Sequence, residues 1–258
     1  MTSVNPLFDL SGKVAIVTGS TRGIGWACVC ELARAGASVT VSSEDAHESR
    51  ERAAALAEQG HAAMGVGCDV RDGRQLEVLV EATLARYGRL DIVVANAGVT
   101  LAEGPLAEVP EAAWRTMMDI NLHAAVRLAN LAAPCIARAG GGSLIFMSYL
   151  SALRGNRRLG VYSLTKAALA QLARNLAVEW GGAKIRANAI APGLIDTAFA
   201  APLKQDAAAF ARRLARTPLG RMGDPAEVAG TVVYFASPAG AFVTGQTIVV
   251  DGGALIGD

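Results

Sequence analysis

The sequence predicts an α/β fold, a single doubly wound parallel sheet with helices on both faces. Three observations predict it. Short, nearly continuous apolar runs recur along the 258 residues and alternate with stretches of helical periodicity. A glycine-rich turn follows the first apolar run and opens directly into a helix. No linker, internal repeat or low-complexity tract interrupts the alternation, so residues 1–258 read as one unit. Hydrophobic residues make up 52% of the chain and charged residues 18%, ample material for a large core.

The first strand, residues 13–19 (Lys-Val-Ala-Ile-Val-Thr-Gly), has the apolar character of a strand buried on both faces. The turn Ser20-Thr21-Arg22-Gly23-Ile24-Gly25 follows, and then a helix over 26–35. Glycines at 19, 23 and 25 let the backbone turn sharply and approach a pyrophosphate, whose charge the helix N-terminus favours, as in Rossmann dinucleotide sites. The pattern is not the literal GxGxxG, because Cys28 stands where a third motif glycine would be. A second strand, 37–43, ends at Glu44 and Asp45. An acid about twenty residues past the glycine turn is placed to hold a ribose diol and repels a 2′-phosphate. Arg22, in the turn, would attract one. Glu44 at the strand end tilts the expectation towards NAD over NADP, with a solvated charge as the plain alternative.

A helix over 48–59, a strand over 62–69 and a helix over 75–87 come next, the last with Leu76, Leu79, Val80 and Leu84 at helical spacing. The strand 90–95 ends in Asn96-Ala97-Gly98, small residues that leave room for a flat ring or make a plain turn. Residues 111–138 read as one long helix containing Asn121, and an amide inside a helix is unfavourable unless it has a task. A strand over 143–148 leads to a loop with Arg154, Arg157 and Arg158, and then to a helix over 161–180. The strand 185–190 runs into Ala191-Pro192-Gly193, followed by an alanine-rich helical stretch between 202 and 216. Asp224-Pro225 starts the last helix, with Pro at its first position, and the strand 246–250 closes the chain before Asp251-Gly252-Gly253.

The chemistry centres on Tyr162 and Lys166, four apart at a helix start and therefore on one face. A phenol is a poor acid or base near neutrality, and a nearby ammonium favours the phenolate. The net charge of +1 and the absence of a basic patch give no case for nucleic acid or an anionic membrane. The N-terminal Met-Thr-Ser-Val-Asn-Pro lacks the order of a secretion signal, and charges are expected to interrupt each apolar stretch short of a bilayer's width. A soluble, cytoplasmic protein is the expectation. Cys28, Cys30, Cys68 and Cys135 show no CxxC spacing, and His47, His61 and His123 are scattered, so no metal site is expected.

Taken together, Thr18-Gly19-x-x-x-Gly23-Ile24-Gly25, Asn96-Ala97-Gly98, Asn121, Tyr162-x-x-x-Lys166 and Pro192-Gly193-x-Ile195-x-Thr197 resemble the short-chain dehydrogenase/reductase family over nearly the whole chain. The resemblance implies hydride transfer between NAD(P) and an alcohol or carbonyl. It implies Tyr162 as general acid/base, Lys166 biasing its ionisation and holding the nicotinamide ribose, and Asn121 fixing a water in a proton relay. It also implies that Pro192–Thr197 anchors the carboxamide and pyrophosphate, and that Asp69 and Val70 border the adenine. Two residues depart from the family pattern: Ala95 replaces an Asn, and the substrate-polarising serine, thirteen residues before the tyrosine, falls on Tyr149. Three outcomes stay open: Tyr149 substitutes through its own O–H, the loop shifts so that Ser148 or Ser151 serves, or activity is impaired. Strand alternation aims Ser148 at the opposite face.

The competing expectation is a non-catalytic dinucleotide binder, acting as a sensor or an oligomer partner. Substrate selectivity is expected in a lid over 194–216, with Phe199, Leu203 and Phe210 forming an apolar cover. Arg154, Arg157 and Arg158 read either as solvated loop charges or as a greeting for an anionic substrate such as an acid or an acyl carrier. Small residues on the 162–180 helix, with the resemblance, imply a homotetramer or a homodimer.

Overall fold

In this computed structural model, which describes residues 5–257, the strands are β1 (Val14–Thr18), β2 (Ser38–Ser43), β3 (Ala63–Gly67), β4 (Ile92–Ala95), β5 (Gly142–Met147), β6 (Ile185–Pro192) and β7 (Thr247–Val250). They form one sheet in the order β3-β2-β1-β4-β5-β6-β7, every pairing parallel. Met1 to Val4 and Asp258, the outer ends of the 1–258 unit and the start of the N-terminal segment read above, lie outside the described residues. The helices are α1 (Gly23–Arg34), α2 (Ala46–Glu58), α3 (Gly73–Tyr87), α4 (Glu111–Met118), α5 (Ala124–Arg138), α6 (Gly160–Trp180), α7 (Ala201–Gln205), α8 (Ala207–Ala215) and α9 (Pro225–Ala236).

Alternate strand residues serve opposite faces, which is why the strands read as unbroken apolar runs. Ile16, Val93, Leu144, Phe146 and Ala187 pack with α3, α5 and α6. Ala15, Val17, Val39, Val41, Val94 and Ile145 pack with α1, α2 and α9. Each large side chain buried completely, such as Phe146 or Leu32, contributes about 1.5–3 kcal/mol. Strand order reverses between β1 and β4, and a crevice outside the carboxyl ends of the strands is the expected ligand position in such a sheet.

Several boundaries differ from the sequence expectation for local reasons. Helix α1 begins three residues early, at Gly23, because the glycine turn is already its first turn. The 111–138 helix carries a wide π-type turn at Asp119–His123, centred on Asn121. The alanine-rich stretch breaks at Asp206, whose carboxylate accepts the N–H of Ala209 (2.9 Å) and caps α8. By length and composition Glu111–Arg138 is long and apolar enough to cross a membrane, contrary to the expectation of charged interruptions. Half of that apolar window is buried in the protein, and Ala125, Leu128, Ala132 and Ile136 face the sheet.

Candidate active site

Beyond β1 the chain folds tightly against the end of β4. The Thr18 hydroxyl accepts the N–H groups of Asn96 and Ala97 (3.2 Å each), while the Asn96 amide donates to the carbonyls of Thr18 and Gly19 (2.9 Å each). A Cβ on Gly25 would lie 2.2 Å from the Gly19 carbonyl oxygen and 2.5 Å from Asn96 Nδ2, so only glycine fits there. Gly19 and Gly23 have φ of +61° and +57°, conformations that cost other residues strain. Arg22 occupies the N-cap of α1 without a side-chain cap, and the first turn carries no acid. Its N–H groups and positive dipole end therefore stay open to an anion. Thr197 lies beside Gly23, 3.4 Å from where a Cβ would stand. Thr21 is buried, and Ile24 half-buried against the core below the turn.

Asn121 has the task its placement called for. Its Oδ1 accepts Val99 N–H (2.8 Å), and its Nδ2 donates to Val99 carbonyl (2.9 Å) and to Thr165 Oγ1 (3.2 Å). The amide thereby ties the Asn96–Gly98 turn and α6 to the wide turn. A Cβ on Gly98 would stand 3.1 Å from Lys166 Nζ and 3.4 Å from Asn121 Oδ1, so these three residues converge.

Tyr162 and Lys166 are both buried. Lys166 donates from Nζ to the Met147 carbonyl (2.8 Å) and stands 5.5 Å from the centroid of the Tyr162 ring. Burial pulls the Lys166 ammonium down to about 8. Burial, and then the neighbouring Tyr149, raise the Tyr162 phenol above its ordinary value. The expected lowering of the phenol by the ammonium is thus overridden: in this dry environment desolvation of each charged form dominates. Tyr162 stands between Tyr149 (centroids 5.5 Å apart, edge-on) and Phe199 (5.9 Å).

The three hydroxyls open to the serine's role are in different circumstances. Ser148 donates to the Lys166 carbonyl (2.7 Å), and Ser151 accepts from Ser163 (2.8 Å). Tyr149 is half-buried beside Tyr162.

Other expected site residues have different surroundings. The Asp69 carboxylate is held by Arg71, whose hydrogen bonds lower its pKa, and Val70 lines a small cavity with Thr18, Ala95 and Ala97. Glu44 is exposed at the end of β2, while Asp45 caps α2 by accepting His47 and Glu48 N–H groups (2.8 and 3.0 Å). Pro192 ends β6, and Gly193 is pressed against Asp251, whose Cβ is 2.6 Å from the position of a Gly193 Cβ. Ile195 turns into the core and bridges to Gly223. Sequence reasoning missed Thr165 and the Met147 carbonyl. The first carries a signal, one residue before Lys166 on a site helix; a backbone acceptor carries none.

Comparison with known proteins agrees with this architecture. A family model described as enoyl-(acyl carrier protein) reductase matches residues 19–254. Dehydrogenase/reductase SDR family member 4 of Bos taurus is 38% identical over 246 residues, covering 95% of this chain and 88% of that protein. Cis-4-hydroxycyclohexanecarboxylate dehydrogenase of Sinomonas cyclohexanicum is 38% identical over 241 residues, covering 93% of this chain and 96% of the relative. The crystal structure of a gluconate 5-dehydrogenase from Burkholderia cenocepacia, in complex with NADP and tartrate, superposes with a TM-score of 0.92 at 33% identity, covering 96% and 97% of the two chains. With its sheet order and glycine turn, the chain belongs to the short-chain dehydrogenase/reductase family and is an oxidoreductase acting on alcohol groups.

Proposed function

We propose that the protein interconverts an alcohol and a carbonyl compound with a nicotinamide dinucleotide, Tyr162 acting as general acid/base. The observation that carries this reading is that buried Lys166 converges with Gly98 and Asn121 at the carboxyl edge of the sheet, with the buried Tyr162 ring 5.5 Å from its Nζ. A dinucleotide fits the residues present, because a Cβ would block the glycine cradle at Gly25 and Gly19 and the α1 N-terminus is open to a pyrophosphate. Gly19, Thr21, Arg22, Gly23, Ile24, Gly25 and Thr197 would hold the phosphates. Glu44, Asp69 and Val70 would border the adenosine. Asn96, Ala97, Gly98, Pro192, Gly193 and Ile195 would flank the nicotinamide half, with Tyr162 and Lys166 against its ribose. The nicotinamide supplies the hydride chemistry.

The side chains supply proton transfer and orientation. With its pKa raised by burial, the Tyr162 phenol stands protonated near neutrality, the state that donates to a carbonyl oxygen. In the oxidative direction the phenolate must form first, and the Lys166 ammonium beside it then becomes favourable. Asn121 fixes the Gly98–Val99 wall through its two bonds to Val99, and a relay water would be held beside it. One α/β unit, with a lid over 194–216, carries both cofactor and substrate sites. The exposed Glu44 carboxylate favours NAD, since it offers a diol acceptor and repels a 2′-phosphate. The non-catalytic alternative has nothing in the site to favour it.

Tyr149 takes the place of the substrate-polarising serine: the Ser148 proton is committed to the Lys166 carbonyl, Ser151 accepts from Ser163, and Tyr149 stands at the serine's position in the chain, edge-on to Tyr162. The test compares Tyr149→Phe with Tyr149→Ser on a panel of ketones and alcohols. Removing the hydroxyl as Phe is expected to lower kcat by about a hundredfold, the usual cost of one such donor, while Ser retains most of the activity. Unchanged turnover in Tyr149→Phe would contradict this role.

Homotetramer assembly is supported by exposed Val178 on α6 and exposed Phe242 before the edge strand β7. These two surfaces adjoin, since a Cβ on Gly245 would stand 3.6 Å from that of Ala177. Four free cysteines suit the reducing cytoplasm.

A further inference from the structure

The loop after Tyr149 carries three arginines with different surroundings. Arg158 is ion-paired with Glu103 (2.8 Å), and Arg157 is exposed. Arg154 is half-buried, and its Nη1 donates to the carbonyl of Ala254 (2.6 Å). That bond joins the Tyr149 loop to the turn after β7. The same turn packs on the segment leaving α8: Leu219 N–H donates to the Gly252 carbonyl (3.1 Å), and a Cβ on Gly252 would meet Thr217 at 2.9 Å. Arg213 and Arg216 stand at this end of α8, immediately before Thr217.

Arg154 is therefore close enough to feel Arg213, Arg216, Asp251 and the phenol of Tyr149. Burial and the two like charges pull its guanidinium below the ordinary arginine value. The nearby Asp251 offsets them only in part and forms no ion pair with Arg154. Asp251 spends its carboxylate on main-chain donors, accepting Gly253 N–H (2.8 Å) and Leu255 N–H (2.6 Å). Among the described residues none of Arg154, Arg213 and Arg216 has a carboxylate partner. A half-buried guanidinium with like-charged neighbours is satisfied by an anion, and its planar fork matches a carboxylate.

Resting on the hydride-transfer reading above, we infer that Arg154, backed by Arg213 and Arg216, forms a subsite for a carboxylate carried by the substrate, which is therefore a hydroxy acid or oxo acid. The reacting carbon lies at Tyr162 and Tyr149, and the acid group reaches past Tyr149 to Arg154.

The test measures kcat/KM of the full-length chain with cofactor on matched pairs of hydroxy acids and their primary amides, on a cyclohexane ring and on short linear chains. The acids are expected to exceed the amides by about tenfold or more, the worth of a charge-assisted hydrogen bond. Arg154→Met is expected to bring that ratio close to one, mainly through KM. Arg213→Gln, which removes no bond within the fold, reduces it in part and keeps the test valid if Arg154→Met folds poorly. Amides, phosphate esters or acyl thioesters used as well as the acids would overturn the inference, as would a ratio unmoved by both variants. If neutral alcohols are turned over through Tyr162 without acid preference, only this subsite is refuted. Turnover that survives Tyr162→Phe refutes the hydride-transfer reading instead.

Discussion

Lys166 is held where its charge is costly, and this makes a prediction in the absence of any substrate. Burial draws its ammonium from the ordinary 10.5 to about 8. At about 1.4 kcal/mol per tenfold in proton affinity, that fall corresponds to about 3 kcal/mol. The unfolded chain binds this proton more tightly, so between about pH 8 and 10.5 it carries more protons than the folded protein, and stability rises with pH across the window. The penalty is complete below the folded value and absent above the unfolded one. Other groups oppose it: burial pushes the thiols of Cys28 and Cys68 up to about 12, so they lose stability as pH rises above 9.0. The difference between wild type and Lys166→Met isolates the lysine. In urea denaturation, wild type is expected to gain about 2 kcal/mol on the variant between pH 8 and 9.5. Parallel stability curves would show that the ammonium is not desolvated, and the burial argument for the whole Tyr162–Lys166 pair would fail.

Two further outcomes follow from the cofactor cradle. Gly25→Ala drives a Cβ to 2.2 Å from the Gly19 carbonyl. It is expected to cost about 2 kcal/mol or more in stability and to weaken dinucleotide binding measured by titration, and a variant matching wild type in both would refute the cradle. Glu44→Arg replaces a repelling carboxylate by a phosphate partner, and the NADP-to-NAD ratio of kcat/KM is expected to rise by about tenfold or more. An unmoved ratio would remove Glu44 from the cofactor site.

The sheet was legible because buried parallel strands leave a plain trace: Val14–Thr18 and Ile92–Ala95 are apolar on both faces because helices cover both. The glycine turn was legible for a steric reason, since Gly25 is the residue that close packing of α1 on the Gly19 carbonyl demands. What could not be read depends on partners remote in sequence. The wide turn at Asn121 answers to Val99 and Thr165, 22 and 44 residues away. Lys166 answers to a backbone carbonyl at Met147. The rise in the Tyr162 phenol needed the burial of the pair, which a four-residue spacing does not reveal. Glu44 and Asp45 looked alike as acids, and only the capping bonds of Asp45 separate them. Likewise Arg154, Arg157 and Arg158 formed one basic loop in the sequence, yet Ala254 and Glu103 give two of them different fates.

The most direct test of the account is Tyr162→Phe on a substrate the wild type turns over. Among the described residues the Tyr162 hydroxyl shares no hydrogen bond with the protein, and the ring packing between Tyr149 and Phe199 is kept, so the fold should be unaffected. Thermal stability is expected to be unchanged and kcat to fall by about 10²–10⁴-fold, the contribution of a positioned general acid. Turnover at the wild-type rate would contradict it.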